Sequence, residues 1–308
     1  MSASLTLRYA TRRSPLALAQ SQEFADALAS AHGCLQLEPV TVVTSGDRIV
    51  DRPLSQIGGK GLFVKEIEAT LYNKDADFAV HSMKDVPAVM TPGLCIACIP
   101  QRVDARDVLV SQHRVKLADL PANACIGTCS GRRHVMLLRA RPDLRIVPLR
   151  GNVETRLRKV HDGHIDATVL AWAGLHRLAR IDQAAEVLCP ELFVPAPGQG
   201  ALAIQCRSDS FTIRQWLAKL HHRPTAIAVA TERGVLAQTE GNCQIPVAAY
   251  ARRTASGALQ LDAMLATADM SRVCFDTVHA DWPESEGQAT DIGKRLGDRL
   301  RRALQRQT

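Results

Sequence analysis

The chain has 308 residues, 46% of them hydrophobic and 22% charged, with a formal net charge of +7. That is an ordinary composition for a soluble globular protein with room for about two or three separate cores. No apolar run approaches the ~20 residues needed to span a bilayer, and an aromatic content of 4% argues against a surface built to stack bases. The excess of base leaves nucleic acid, an anionic membrane surface and an acidic small molecule as classes of partner.

The first residues lack a basic leader followed by an apolar block, so no signal peptide is expected, and a strand begins almost at once over Leu5–Tyr9. Ser14 as cap and Pro15 at the first helical position predict a helix to about Ser30. Leu35–Val43 reads as a strand, Leu62–Tyr72 as a helix, and Asp77–Val80 as a short strand feeding the loop His81–Asp85. The alternation restarts near Ala105. Strands are expected at Asp107–Val110, Cys125–Gly127, Arg145–Pro148 and Ala167–Leu170, and helices at Arg132–Ala140, Val153–Asp162 and Ala171–Ala179. Such alternation predicts α/β layers with mostly parallel strands and right-handed crossovers.

The segment Pro195-Ala196-Pro197-Gly198-Gln199-Gly200 ends the second unit, and the strand-like Ala201–Arg207 is expected to return to the first. Three β-rich segments near 245–253, 258–268 and 272–279 and an amphipathic helix Thr290–Gln305 follow. The expected fold class is therefore α/β with a C-terminal α+β domain: lobe 1 at 1–100 with 198–220, lobe 2 at 101–197, and a third domain at 221–308.

Nine scattered cysteines suit a reducing cytoplasm better than a disulfide framework. Cys95 and Cys98 form a lone C-x-x-C inside an apolar strand-like run, which predicts buried small hydrophobes and no metal; Cys125 and Cys129 are read the same way. Cys243 differs, lying in the polar turn Glu240-Gly241-Asn242-Cys243-Gln244, where a thiol is accessible and can act as a nucleophile. No histidine partner is assignable to it, so a Cys/His hydrolase is not supported.

Asp85 follows a predicted strand in Ser82-Met83-Lys84-Asp85, at the kind of strand end where ligands bind in open α/β sheets. A carboxylate there can steady a developing cation and move protons, although helix capping or pairing with Lys84 explains it as well. Arg12, Arg132, Arg133, Arg150, Arg156 and Arg177 fall near strand-to-helix junctions or in first turns. Guanidinium groups hold carboxylates in a fork, and helix N-termini add backbone donors. Ser14, Ser82, Thr128 and Ser130 add hydroxyls, with plain capping as the competing explanation. Lys60 sits among Gly58, Gly59 and Gly61 without the Walker spacing, so a glycine-hinged flap carrying Lys60 and Phe63 is expected in place of nucleotide hydrolysis.

In order and spacing, these motifs resemble the hydroxymethylbilane synthase (porphobilinogen deaminase) family. The resemblance runs from Arg12-Arg13-Ser14-Pro15 through Gly58–Glu66, Asp77–Pro87, Arg132-Arg133, Arg150–Leu157 and Pro195–Arg207 to Gly241–Pro246. It implies two periplasmic-binding-protein-like lobes with a cofactor-bearing third domain, and a transferase that joins four porphobilinogen molecules head-to-tail with loss of ammonia. It further implies a dipyrromethane cofactor on Cys243 through a thioether, with Asp85 as the catalytic carboxylate. Ser82, Lys84, Thr128, Ser130, Arg132, Arg133 and Arg150 match cofactor-contact positions; Arg12, Ser14, Lys60, Phe63, Arg156, Arg177 and Gln199 match substrate-contact positions. Cys129, Gly131 and Asn242 depart from the family's usual residues. A cytoplasmic monomer with no nucleic-acid or membrane partner is expected. The competing reading is a non-catalytic two-lobed anion-binding protein, and a nucleic-acid binder supported by the arginine-rich tail 295–306 stands third.

Overall fold

A computed structural model describes residues 5–45, 64–239 and 245–306; Lys60, Phe63 and Cys243 lie outside them. The chain divides into two units, Met1–Val103 with Ala201–Ala226, and Asp104–Gly200 with Ile227–Thr308.

In the first unit, β1 (Leu5–Arg12), β2 (Leu35–Val42), β3 (Phe78–Ser82), β4 (Leu94–Cys98) and β10 (Leu202–Arg207) form one sheet in the order β2-β1-β3-β10-β4. β1 runs parallel to β2 and β3, joined to β2 by the helix Pro15–His32. That helix starts where the sequence says it should: Ser14 is extended, its Oγ accepts from Ala17 N at 3.3 Å, and Pro15 has no N–H to leave unsatisfied. It stops at Gly33, whose φ of 61° is the left-handed cap conformation that glycine adopts without a Cβ clash. Tyr9, Phe24 and Phe78 pack together beneath, with Phe78 stacked on Tyr9 and edge-on to Phe24, and Leu28, Leu35, Ile204 and Leu217 complete this core.

The second unit repeats the arrangement. β5 (Asp107–Ser111), β6 (Cys125–Gly127), β7 (Arg145–Val147), β8 (Ala167–Ala171) and β9 (Glu186–Val187) lie in the order β7-β6-β8-β5-β9, with β6 parallel to β7 and β8. Helices Gly131–Ala140, Val153–His161 and Trp172–Arg177 follow the parallel strands. The expectation of mostly parallel strands holds for four strands of each sheet; β10 in the first and β5 in the second are antiparallel to both their neighbours. A crossover helix forces parallel neighbours, but a strand entered from a turn is free to run the other way.

The C-terminal part is an antiparallel meander, β11 (Val247–Arg253), β12 (Leu259–Ala266) and β13 (Val273–Ala280), against helices Arg223–Gln238 and Glu286–Gln305. The last helix begins before the predicted Thr290 because Ser285 caps it, accepting from Gln288 N at 3.2 Å. The two helices touch backbone to backbone: a Cβ on Gly293 would lie 1.9 Å from Thr231 O, and one on Gly234 2.3 Å from Thr290 O. Ala248, Met264 and Ala266 of the meander share a core with Leu109, Ile126 and Met136 of the second sheet.

Cys98 and Cys125 are buried as expected, and Cys95 is half-buried. Cys129 is exposed, contrary to its reading as a core thiol, because β6 ends at Gly127 and the chain has left the sheet before reaching it. Among the described residues no helix is long and apolar enough to cross a membrane, and no cluster of side chains suits a metal ion.

Candidate active site

Parallel strands end at one edge of a sheet, so residues just past them meet there. In the first unit Arg12 closes β1 and Ser82 closes β3, and Asp85 follows in the single turn Met83–Asp85. Arg12, Gln20, Val80, His81, Ser82 and Asp85 all line one open cavity. Asp85 and Lys84 are exposed, Arg12 half-buried. The Ser82 hydroxyl pairs with the amide of Gln20, whose Nε2 lies 2.8 Å away. Ser14 caps its helix as an acceptor, which leaves its hydroxyl proton for a ligand.

His81, 6% exposed, lies in the wall of this cavity. Its Nε2 is 2.9 Å from Gln205 Oε1, while Gln205 Nε2 donates to Glu68 Oε1 at 2.8 Å. Because the amide nitrogen is committed to Glu68, its oxygen must accept, which assigns the ring proton to Nε2. Burial brings the imidazole down to about 4; the Gln205 bond opposes this and the nearby Arg12 charge adds to it. His81 is therefore neutral at physiological pH.

The second unit gathers the other arginines. Thr128 and Ser130 follow β6, and Arg132 and Arg133 lie in the first turn of Gly131–Ala140. Arg150 follows β7, and Arg156 stands on the helix capped by Asn152. β5 is antiparallel, so its first residue, Asp107, lies opposite Ala171 at the end of β8, at the edge where these strands finish. Asp107 is 0% exposed and organises the pair: Arg132 Nη1 donates to its Oδ2 at 2.7 Å and to Val194 O at 2.8 Å, and Arg133 Nη2 donates to Oδ1 at 2.9 Å. Burial by itself would raise the Asp107 carboxyl, but the charges and hydrogen bonds of Arg132 and Arg133 hold it well below the carboxylate range.

What remains over is positive. Arg133 Nε and Arg150 Nη1 are buried and have no hydrogen-bond partner among the described residues. Arg156 donates from Nε to Gly151 O at 2.9 Å, yet burial and the like charges of Arg133 and Arg150, partly offset by Cys129, bring it down to about 10. Guanidinium groups crowded so closely, with donors left unused, form a receptor for an anion rich in carboxylate oxygens. Thr128 Oγ1 accepts from Ser130 N at 3.0 Å and Ser130 Oγ from Arg133 N at 3.4 Å, so both hydroxyl protons are left to donate as well.

The expected residues thus form two groups: Arg12, Ser14, Ser82 and Asp85 in the first unit; Thr128, Ser130, Arg132, Arg133, Arg150 and Arg156 in the second. Lys84 stands beside the first, solvent-exposed. Gln199 is buried, with Nε2 donating to Ala105 O at 2.7 Å and Asp107 Oδ1 at 2.9 Å. Arg177 Nη2 reaches Gly200 O at 3.5 Å. Sequence reasoning missed Asp107, Gln20, His81 and Gln205. His81 stood inside a quoted motif, but nothing local marks an aspartate that opens a run of valines and leucines as a partner for arginines far along the chain.

Two family models match the chain. One, described as porphobilinogen deaminase, dipyromethane cofactor binding domain, covers residues 7–215; the other, porphobilinogen deaminase, C-terminal domain, covers 226–302. The porphobilinogen deaminase of Sorangium cellulosum (strain So ce56) is 53% identical over 302 residues, 98% of this chain and 100% of that protein. That of Geobacter metallireducens is 46% identical over 290 residues, 94% of this chain and 91% of its own. Among solved structures, the VFT2 domain of Bordetella pertussis BvgS gives a TM-score of 0.42 at 16% identity, over 70% of this chain and 86% of that one. Full-length CbnR in complex with its target DNA gives 0.44 at 13%, over 71% and 70%. Matches from residue 7 to residue 302, carried by relatives as long as the chain itself, make it a member of the porphobilinogen deaminase family.

Proposed function

We propose that the chain is a hydroxymethylbilane synthase. It deaminates porphobilinogen, joins four such units head-to-tail onto a dipyrromethane held by Cys243 as a thioether, and releases the linear tetrapyrrole by hydrolysis. One observation carries the reading: the buried Arg133 Nε and Arg150 Nη1 have no hydrogen-bond partner among the described residues, beside the crowded Arg156. Each pyrrole of such a ligand bears one acetate and one propionate, so carboxylates accumulate as the chain grows, and these donors suit them. The bound dipyrromethane supplies a nucleophilic pyrrole carbon as primer.

Asp85 is exposed at the mouth of the cavity beside Arg12 and Ser82. From there its carboxylate would stabilise the cation that develops as ammonia departs, protonate the leaving amine and take up the proton lost from the attacking pyrrole α-carbon. Arg12 and Ser14 bind substrate carboxylates, and Lys84 adds charge at the exposed rim. Neutral His81 adds no second cation to the cavity, where Arg12 supplies the fixed positive charge among the described lining residues. Arg132 is positioned more than it is offered, being tied to Asp107 and Val194; Arg133, Arg150 and Arg156 take most of the anion, with Thr128 and Ser130 as neutral donors. Arg177 and Gln199 hold the edge of the group. Lys60 and Phe63 add contacts to substrate.

In this scheme lobe 1 (1–100 with 198–220) presents the acid, lobe 2 (101–197) the arginines, and 221–308 the thiol. The enzyme is taken to be a cytoplasmic monomer that engages neither nucleic acid nor membrane. Intact mass of the denatured protein with a peptide map around Cys243 tests the anchor: added mass of two linked pyrrole units at Cys243 is expected. An unmodified chain that also forms no adduct with porphobilinogen would leave the anion-binding alternative. Asp85→Asn should fold and keep that adduct while losing most turnover; near-normal turnover would remove Asp85 from the chemistry.

A further inference from the structure

Residues directly opposite each other on neighbouring antiparallel strands point to the same face of the sheet. Cys206 of β10 stands opposite Cys95 of β4, and both pack into the core that holds Phe24, Leu28 and Phe78. Two residues along, Ser208 N donates to Gly93 O at 2.9 Å, which makes Cys206 and Cys95 a hydrogen-bonded pair of the ladder. Such pairs hold their Cα atoms about 5.5 Å apart, inside the range that disulfides span. Access differs between the two: Cys206 is 0% exposed, whereas Cys95 is half-buried. Burial pushes the Cys206 thiol up to about 12, and the neighbouring Cys95 adds to the rise. β4 lies at the edge of its sheet with β10 beside it, and Cys98 faces Ile204, so the register pairs Cys95 with Cys206. The pair also flanks a crossing. The chain leaves the first unit after Val103 and returns to it at Ala201, so β4 precedes the whole of 104–200 and β10 follows it.

We propose that Cys95 and Cys206 are the site of a reversible disulfide, formed by hydrogen peroxide, that clasps β4 to β10 and makes the oxidised chain harder to unfold. The half-buried Cys95 reacts first. Its thiolate attacks one peroxide oxygen, the O–O bond breaks, and hydroxide leaves with the proton Cys95 gave up, as water; Cys95 is then a sulfenic acid. Cys206 attacks the Cys95 sulfur next. The S–S bond forms, the S–O bond breaks, and the departing hydroxide takes the Cys206 proton, making a second water. Two thiols supply the two electrons, and the peroxide is the oxidant. Opposed cross-strand Cβ atoms lie about 4.5–5.5 Å apart and those of a disulfide near 3.8 Å, so closure draws the strands together and the bond stays easily reduced. The bridge closes a loop of about 100 residues, which removes freedom from the unfolded chain and favours the folded one. The inference uses neither the arginine group nor the proposed reaction.

The protein as purified, dilute enough to keep molecules apart, is treated with hydrogen peroxide, its remaining thiols are blocked, and its peptides are mapped without reductant. A pair of peptides joined through Cys95 and Cys206, lighter by two hydrogen atoms, is expected, with a melting temperature raised by several degrees. Dithiothreitol should reverse both. The exposed Cys129 and Cys189 should oxidise without entering the linked pair. Cys95→Ser, a change of one atom at a half-buried position, should lose the linked pair and the rise in melting temperature. Cys206→Ala should leave Cys95 without a resolving thiol, so that it accumulates as sulfinic acid. No linked pair in the native protein would overturn the proposal, as would a bridge from Cys95 to Cys98, or a linked protein that melts no higher than the reduced one.

Discussion

Replacing Asp107 by asparagine removes one charge and almost no volume. In the native protein this carboxylate, 0% exposed, accepts from Arg132 at 2.7 Å on one oxygen and from Arg133 and Gln199 at 2.9 Å each on the other. Asparagine keeps one acceptor and turns an NH₂ group toward the remaining donors, and two buried guanidinium groups lose their counter-ion. Breaking a buried ion pair from one side costs about 3–5 kcal/mol. For a urea slope near 2 kcal/mol/M that is a midpoint lowered by about 1.5–2.5 M. The pH dependence is a second reading of the same effect. Burial would raise the Asp107 carboxyl and the arginines overcome it, so the folded group titrates below its unfolded value near 3.9. Its stabilisation is complete above about pH 4 and drains away as pH falls through the depressed folded value. Burial also pulls Arg132 below its ordinary value, but the guanidinium stays charged throughout this window. Urea unfolding of both proteins between about pH 3 and 7 should therefore show a wide gap at neutrality that narrows in acid. A midpoint shift under about 0.5 M, or a gap that persists in acid, would mean that the arginines are held without this carboxylate.

Arg132→Ala and Arg150→Ala should separate support from binding. The first strips a partner from Asp107 and should cost about 3 kcal/mol of stability. The second removes a group whose Nη1 has no partner among the described residues, and should weaken anion binding with a stability change near zero; equal stability losses would refute the distinction. His81, brought down to about 4 chiefly by burial, should stay neutral down to about pH 5. The unfolded chain takes up that proton near 6.5, so the group should lower stability by up to about 3 kcal/mol as pH falls from 6.5 toward 4. An imidazole resonance titrating near 6.5 in the folded protein would contradict this. Gly293→Ala places a Cβ 1.9 Å from Thr231 O and should cost about 3 kcal/mol or more by prising apart helices 223–238 and 286–305; an unchanged melting temperature would show that they do not hold this contact.

Much of the architecture was legible because its signals are local. Ser14-Pro15 and Ser130 announce helix starts through hydrogen bonds made within three residues, and both caps form. Strand-like runs fall where strands lie, because short apolar runs bounded by turns mark strands buried on both faces, as β3, β5 and β8 are. The Arg12, Asp85 and paired-arginine motifs were visible for the same reason, as they stand next to strand ends that can be read one segment at a time.

What the tertiary structure alone decided involves distance along the chain or direction in space. Whether β10 would join its sheet parallel or antiparallel depends on which end it enters, which periodicity does not record. Asp107 looks like the polar first residue of an apolar strand, and becomes a counter-ion only because the reversed β5 brings it to the edge where Arg132 and Arg133 emerge. Cys125 and Cys129 read alike in sequence, yet the sheet buries one and ends before the other. Residue type and short-range spacing determine what a segment can form and which groups it offers. Packing determines which of those groups lose water, and so which charges need a partner and which are left waiting for a ligand.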